Sequence, residues 1–554
     1  MIRLFKQHHV RIQRELDGVW EFTPDNKSKQ VYQLPVPGCW EQHPNFYTYR
    51  GKGTYCKKIC VEKDGNIRLE FKGVSHTGDV YFDGIHVAHH YNAFTPFSTI
   101  IPDVTKGEHE IKVIVDNSFG EYSALHIPND YYTYGGITRP VVMEIVPNIY
   151  IKRVQFTPYM KNDTWYGRIN IVLENTSLKS GMVQLKSRLN GSEVVFHETE
   201  IGGKSEITLS FNKDFQNIIP WSNNNPKLYL LDSILYMNNI AIDDYIERVG
   251  FRTIKIEGKH IFINNEKIFL KGFNRHEDYA GIGCAIPLQL MIQDMNLMQD
   301  MGANALRTSH YPNDELFLDL CDEQGIFVWE ENHARGLVLE DMLNSNFDKQ
   351  CEDCIREMIE NHYNHPSIII WGILNECASE TKEGREKYKK QYEQIKYMDK
   401  SRPTTSATCR HFTDISLDLP DIVSFNMYSG WYQDVPIKER NEKEIQWIKE
   451  AGGEGKPIIV SEFGAAAIYG YRDRSRCKWS EERQADIIEE NIKVYMNDEN
   501  ITGTFIWQFA DCRVTEEGQW FATRARCHNN KGVVDEYRRP KMAYDVIKKY
   551  FNEK

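Results

Sequence analysis

The sequence predicts two β-sandwiches followed by a closed (β/α)8 barrel. Two observations carry this. Up to about residue 250 the apolar residues come in short alternating runs separated by turn dipeptides, the pattern of sandwiches. Beyond about residue 255, eight near-continuous apolar runs alternate with amphipathic helical stretches, as expected for parallel strands covered on both faces.

In the first half, the strand runs include NIRLEFKGV, VYFDGIHVAHH, HEIKVIVDNS and ITLSFN, and the turns Asp64-Gly65, Asp83-Gly84, Lys106-Gly107 and Asn190-Gly191. The Pro147-Asn148 turn after VVMEIV suggests a boundary, giving domains over residues 1–148, 149–253 and 254–554. The barrel strands are read as IFLKGFN, NALRTSH, IFVWEEN, IIIWGILNE, TTSATC, IVSFNMY, PIIVSEF and GTFIWQFAD. Between them, Leu316, Phe317, Leu320 and Cys321 share a helix face that Gly325 can terminate. Tyr388, Tyr392 and Ile395 share another, and Ser480 can cap a helix whose first turn carries Glu481 and Glu482.

Composition narrows the function. The 554 residues are 41% hydrophobic and 26% charged, with a net charge of −12. That is globular composition, and its mild acidity argues against nucleic acid or an anionic membrane as partner. No apolar run reaches the length of about 18 residues that spans a bilayer. The N-terminus has no apolar signal core, and twelve cysteines are too dilute for a disulfide scaffold, so a reducing cytoplasm is the expected location. Cys351 and Cys354 fall at helical spacing with Ile355, Met358 and Ile359, which reads as a buried face, and no second Cys pair completes a zinc site.

Active sites of such barrels lie at the C-terminal ends of the strands. Glu376 follows IIIWGIL and Glu462 follows PIIV, on strands 4 and 7 across the barrel from one another. Two carboxylates aimed at one point from opposite sides are what glycoside hydrolysis requires: one acid for the leaving oxygen, one carboxylate for the anomeric carbon. A single strand-end Glu is as easily an ion-pair partner of Arg275, Arg307 or Lys271; the pair favours catalysis. Trp371, Tyr428, Trp431, Tyr432, Trp507 and Trp520 are expected near the same rim, where aromatic faces meet sugar rings.

The whole chain resembles glycoside hydrolase family 2. The stretch NALRTSHYPNDELFLDLCDEQGIFVWEEN, then WGILNE and PIIVSEFG, resemble its signatures, and LDGVWEF, YRGKGTYCKKI and YYTYGGITRPV match N-terminal segments. The resemblance implies a jelly-roll sugar-binding-like domain, an immunoglobulin-like sandwich and a catalytic barrel. It implies a retaining mechanism, with Glu376 as acid/base, Glu462 as nucleophile and Asn375 bonding the sugar 2-hydroxyl. It implies no metal or cofactor, and a homo-oligomer, dimer or tetramer.

After strand 8, Asn529-Asn530-Lys531 resembles the Asn-x-Lys motif of the β-glucuronidases in that family, which grips the C6 carboxylate. The same pattern carries Asp130, His276, Tyr428, Tyr432 and Trp507 into the pocket. The pattern's Arg, four residues before the motif Asn, is Ala525 here, so Arg526 or Arg524 must substitute; Arg526 is taken as the sugar contact. Residues 332–347 form a short segment, which suggests an open aglycone side. The expected function is an exo-acting retaining hydrolase of terminal β-D-glucuronides. A β-galacturonidase is the first alternative and a neutral β-glycosidase, β-galactosidase-like, the second. A sugar-binding protein on a dead barrel is disfavoured by the presence of both glutamates.

Overall fold

The computed structural model describes residues 1–26, 30–517 and 521–553. Trp520, one of the expected rim aromatics, lies outside the described residues.

Alternation in the first half produces two sandwiches. In the first, a six-stranded antiparallel sheet centred on Lys52–Val61 and Gly107–Asp116 faces a four-stranded sheet containing Gly65–Phe71 and Val141–Val146. Trp20, Phe22, Tyr55, Ile67 and Val113 fill the space between them. Asp83 and Gly84 both have positive φ, 48° and 79°, a backbone twist that matches the hairpin they close. Asn190 and Gly191 do the same in the second sandwich, at 47° and 77°. That sandwich sets the sheet of Ile149–Lys161, Thr164–Asn175 and Ser205–Phe215 against one containing Gly181–Leu189, Tyr229–Met237 and Ile240–Val249.

The apolar runs of the second half close into a parallel barrel: β1 (Leu270–Asn274), β2 (Ala305–Arg307), β3 (Phe327–Glu331), β4 (Ile368–Asn375), β5 (Thr404–Thr408), β6 (Val423–Asn426), β7 (Ile458–Phe463) and β8 (Ile501–Ile506). The strands from Ile254–Glu257 to Glu266–Ile268 lead into β1, and Ile261 and Ile263 join Phe327, Trp329 and Phe505 in one apolar cluster. Asp314 caps the helix Glu315–Gln324 by accepting from the Leu316 amide, and Gly325 ends it at φ 71°. Ser480 accepts from the Arg483 amide at the head of Glu481–Tyr495. Cys351 and Cys354 are free thiols buried on the helix Phe347–His362.

Strands covered on both faces send adjacent side chains to opposite layers. Glu331 turns inward to Arg307, while Glu330 meets His362 in the helix layer, 2.9 Å away. Trp371 corrects an expectation. It is fully buried among the helices, its Nε1 donating to Asp399 at 2.9 Å under the Arg402 guanidinium, and it is not at the rim.

The first sandwich is keyed onto the barrel. Arg139 donates to Glu277 at 2.7 Å and to the Pro312 carbonyl at 2.8 Å, and the Tyr134 hydroxyl donates to Asp278 at 2.7 Å. These buried contacts bring the loop carrying Asn129 and Asp130 to the C-terminal end of the barrel, where Asn129 accepts from Arg335 at 2.7 Å.

Candidate active site

Glu462 ends the buried run of β7 and is 3% exposed. Both its oxygens are held: Oε1 accepts from Arg307 Nη1 at 2.9 Å and Oε2 from the Tyr428 hydroxyl at 2.7 Å. Arg307, on β2, is shared. It makes a bidentate pair with Glu331 (2.8 and 3.0 Å) and also donates to Asn274 (3.0 Å) and Asn375 (2.8 Å). Such a guanidinium fixes several carboxylate and amide oxygens in one plane.

Glu376 follows β4 directly and lies in the left-handed region, φ 54°, where side chains other than glycine are strained by about 1–3 kcal/mol. Its Oε1 accepts from Asn426 Nδ2 at 2.9 Å, and Arg335 Nη2 lies 3.6 Å from Oε2. Burial first, and then the facing charge of Glu376, push the Glu462 carboxyl up to about 7, against the pull of Arg307 and Tyr428. The two carboxyls therefore sit in different surroundings and suit different roles.

Asn375 has its oxygen fixed by Arg307 and by Asn426 (3.2 Å), and its buried Nδ2 has no partner among the described residues. His276 meets the Tyr311 hydroxyl at 3.1 Å through Nδ1, and its buried Nε2 is likewise without a partner. Burial lowers His276 to about 3, so the ring is neutral. Trp507 stands edge-on to His276, with ring centroids 5.4 Å apart, and stacks on His310 at 5.0 Å. A buried polar group without a partner costs about 1–3 kcal/mol, and a sugar hydroxyl would meet it.

On another side of the site stand Asp130, Arg524, Asn529, Lys531 and Tyr432. Arg524 donates to Asp130 from Nε and Nη2, each at 2.6 Å, and Asn529 Nδ2 donates at 3.0 Å. Burial opposes ionisation of Asp130, but Arg524 prevails and holds its carboxyl below the usual range. Lys531 is 2% exposed. Its Nζ donates to the Tyr432 hydroxyl at 2.9 Å and lies over the Tyr432 and Tyr428 rings. No carboxylate among the described residues makes an ion pair with it. A buried, unpaired ammonium is costly and marks a place for an anion.

The structure thus gathers Glu376, Glu462, Asn375, Asn529, Lys531, Asp130, His276, Tyr428, Tyr432 and Trp507 around one end of the barrel. Arg526 is the exception. It lies at φ 59° in the turn Ala525–Cys527, half-exposed, and pairs with Glu536 at 3.4 Å; Arg524 is the arginine at Asp130. Arg335, which the sequence reading passed over, bridges Asn129 and Glu376 from the short segment after β3. A further buried trio, Asp319, Asp322 and His365, has metal-like spacing, but Arg3 and Arg248 already neutralise Asp319.

Family models agree with this layout. The glycosyl hydrolases family 2 TIM barrel domain matches residues 254–553, a model described as glycosyl hydrolases family 2 matches 149–252, and the family's sugar binding domain matches 20–147. The chain belongs to glycosyl hydrolases family 2. As a family 2 member it is a glycoside hydrolase. It is similar to the β-glucuronidase of Streptococcus agalactiae, 28% identical over 97% of this chain and 95% of the relative. It is also similar to a β-galactosidase of Thermoanaerobacterium thermosulfurigenes, 29% identical over 96% of this chain and 73% of the relative. Among solved structures it superposes on the GH2 β-galacturonidase from Eisenbergiella tayi bound to galacturonate, with TM-score 0.98, 49% identity and coverage of 100% and 99% of the two chains. The β-D-glucuronidase of Dictyoglomus thermophilum superposes with TM-score 0.87 at 29% identity, covering 99% and 98%. No helix among the described residues is long and apolar enough to cross a membrane.

Proposed function

We propose that this family 2 hydrolase is a retaining exo-β-uronidase whose preferred sugar is β-D-galacturonate, with β-D-glucuronate as the second substrate. The observation that carries the uronate is Lys531: a buried ammonium beside Asn529, held by a tyrosine hydroxyl and, among the described residues, by no carboxylate. A uronic acid brings the missing charge; a neutral hexose leaves it missing. The galacturonate preference is supported by the E. tayi relative, far more similar than the glucuronidases at 28% and 29% identity.

In this reading Glu462, ionised and aimed by Arg307 and Tyr428, attacks the anomeric carbon. The C1–O bond breaks as Glu376 gives its proton to the aglycone oxygen. Water then adds to C1, passes a proton to Glu376 and releases Glu462. The carboxyl pair is expected about 5–5.5 Å apart. Asn375 Nδ2 meets the 2-hydroxyl, where a hydrogen bond that tightens in the transition state is worth several kcal/mol. Asp130, fixed by Arg524, and neutral His276 receive the remaining ring hydroxyls.

The test is hydrolysis of p-nitrophenyl β-galacturonide, β-glucuronide and β-galactoside by the purified protein. Turnover of the uronides, with the galacturonide fastest and the galactoside inert, is expected. Faster glucuronide cleavage would reverse the epimer, and cleavage of the galactoside alone would remove the role given to Lys531.

A further inference from the structure

A cavity of about 630 Å³ opens between the second sandwich and the barrel. It is lined by the end of the helix Lys382–Met398, which precedes β5, and by residues 252–255, which lead into the strands before β1. It therefore opens at the N-terminal ends of the barrel strands, on the face opposite Glu376 and Glu462. Its walls carry Arg168, Arg252, Lys255 and Lys400, and none of the described lining residues is acidic. That is a local reversal in a chain of net charge −12.

Arg252 is the decisive member. It is 3% exposed, its Nε donates to the Pro366 carbonyl, and its Nη2 donates to the Ile368 carbonyl at 2.7 Å. It makes no ion pair among the described residues; the nearby Arg402 is spent on Asp399 at 2.6 Å. A buried guanidinium paired only with carbonyls, facing a cavity of ligand size, is an unfilled anion position. Arg168 and Lys400 also lack ion-pair partners among the described residues, and Lys255 meets only the Asn265 amide oxygen, at 3.0 Å. Two rings complete the wall: Tyr159, stacked on Tyr166 with centroids 5.3 Å apart, and Tyr397, which is 87% exposed. Cations that match carboxylates, beside aromatic faces that match the CH faces of pyranoses, describe one kind of ligand.

We propose that this cavity is a second, non-catalytic binding site for a uronate-bearing oligosaccharide, which holds acidic polymer to the enzyme away from the cleavage site. The proposal rests on the uronidase reading for its choice of sugar, but it is read out separately. The experiment is affinity gel electrophoresis of the full-length protein in polygalacturonate. The α-linked probe is not a substrate for a β-specific hydrolase. Polygalacturonate is expected to retard the native protein, with retardation falling as salt rises, and neutral galactan is not. The double variant Lys255→Glu, Lys400→Glu is expected to bind about tenfold more weakly, with unchanged kcat/KM on the p-nitrophenyl uronide. Absence of retardation in the native protein, or equal retardation of the variant, overturns the site; equal retardation by polyglutamate overturns the sugar. Failure of the uronidase reading shows instead as inactivity on the small uronides.

Discussion

Arg524 and Asp130, 394 residues apart in sequence, are joined by two hydrogen bonds of 2.6 Å inside the site. The pair ties the loop after β8 to the first sandwich, and so holds the Asp130 carboxylate of one domain in the site that Glu376 and Glu462 line in another. Removing one member of a buried pair leaves the other charge uncompensated, a cost of about 3–5 kcal/mol. Arg524→Ala is therefore expected to lower kcat/KM on the uronide by at least about 100-fold, where 1.4 kcal/mol is tenfold. Arg526→Ala breaks a half-exposed pair with Glu536 and is expected to change it by less than about threefold. Kinetics of the two variants side by side test the assignment; equal losses would sink it.

Under the proposed function, Lys531 separates the charged substrate from the neutral one. Lys531→Ala removes the buried ammonium proposed to face the sugar's carboxylate, an interaction worth about 2–5 kcal/mol when fully desolvated. Uronide kcat/KM is expected to fall by about 30-fold to several thousand-fold, whereas any residual rate on the p-nitrophenyl galactoside holds or rises. A uniform loss on all substrates would make Lys531 a structural residue.

Arg335 acts through Glu376 and Asn129. Its Nη2 lies 3.6 Å from the Glu376 carboxylate and its Nη1 donates to Asn129 at 2.7 Å. Arg335→Ala is expected to reduce kcat by about 10–100-fold, and Asn129→Ala by less, because the guanidinium keeps its neighbour Glu376. The two changes act on one contact, so the double variant is expected to resemble Arg335→Ala alone. Fully additive losses in the cycle would show that the Asn129 link carries nothing.

Much of this was legible in the sequence, and the exceptions have physical causes. Asp83-Gly84 and Asn190-Gly191 are turns because both residues of each must take positive φ, a demand visible in residue type. Glu376 and Glu462 were legible because each interrupts a buried apolar run at a strand's end. Trp371 was misplaced for the same reason that β4 was easy to find: a strand buried on both faces shows no alternation, so nothing in the run says which side chains turn inward. Arg526 and Arg524 differ only in backbone conformation. A left-handed residue at Arg526 turns its side chain to Glu536, and no periodicity announces that in a loop. Arg335 lies beyond the end of β3, in a segment whose length was informative and whose contacts were not.

The raised carboxyl of Glu462 has a consequence for stability. Its ordinary value of 4.5 is displaced to about 7 by burial and by Glu376. Between those two values the folded protein holds a proton that the unfolded chain releases, so stability falls as pH rises. The contribution is fully present below pH 4.5 and is lost as pH passes about 7. At 1.36 kcal/mol per unit it reaches at most about 3 kcal/mol. Glu331, pushed up to about 7 by burial against the pull of Arg307, works in the same direction. Glu462→Gln cannot ionise, so its Tm is expected to decline less than that of the native protein between pH 4.5 and 7.5, whatever its value at either end. Parallel Tm curves from calorimetry across that window would show that Glu462 is already ionised at the acid end.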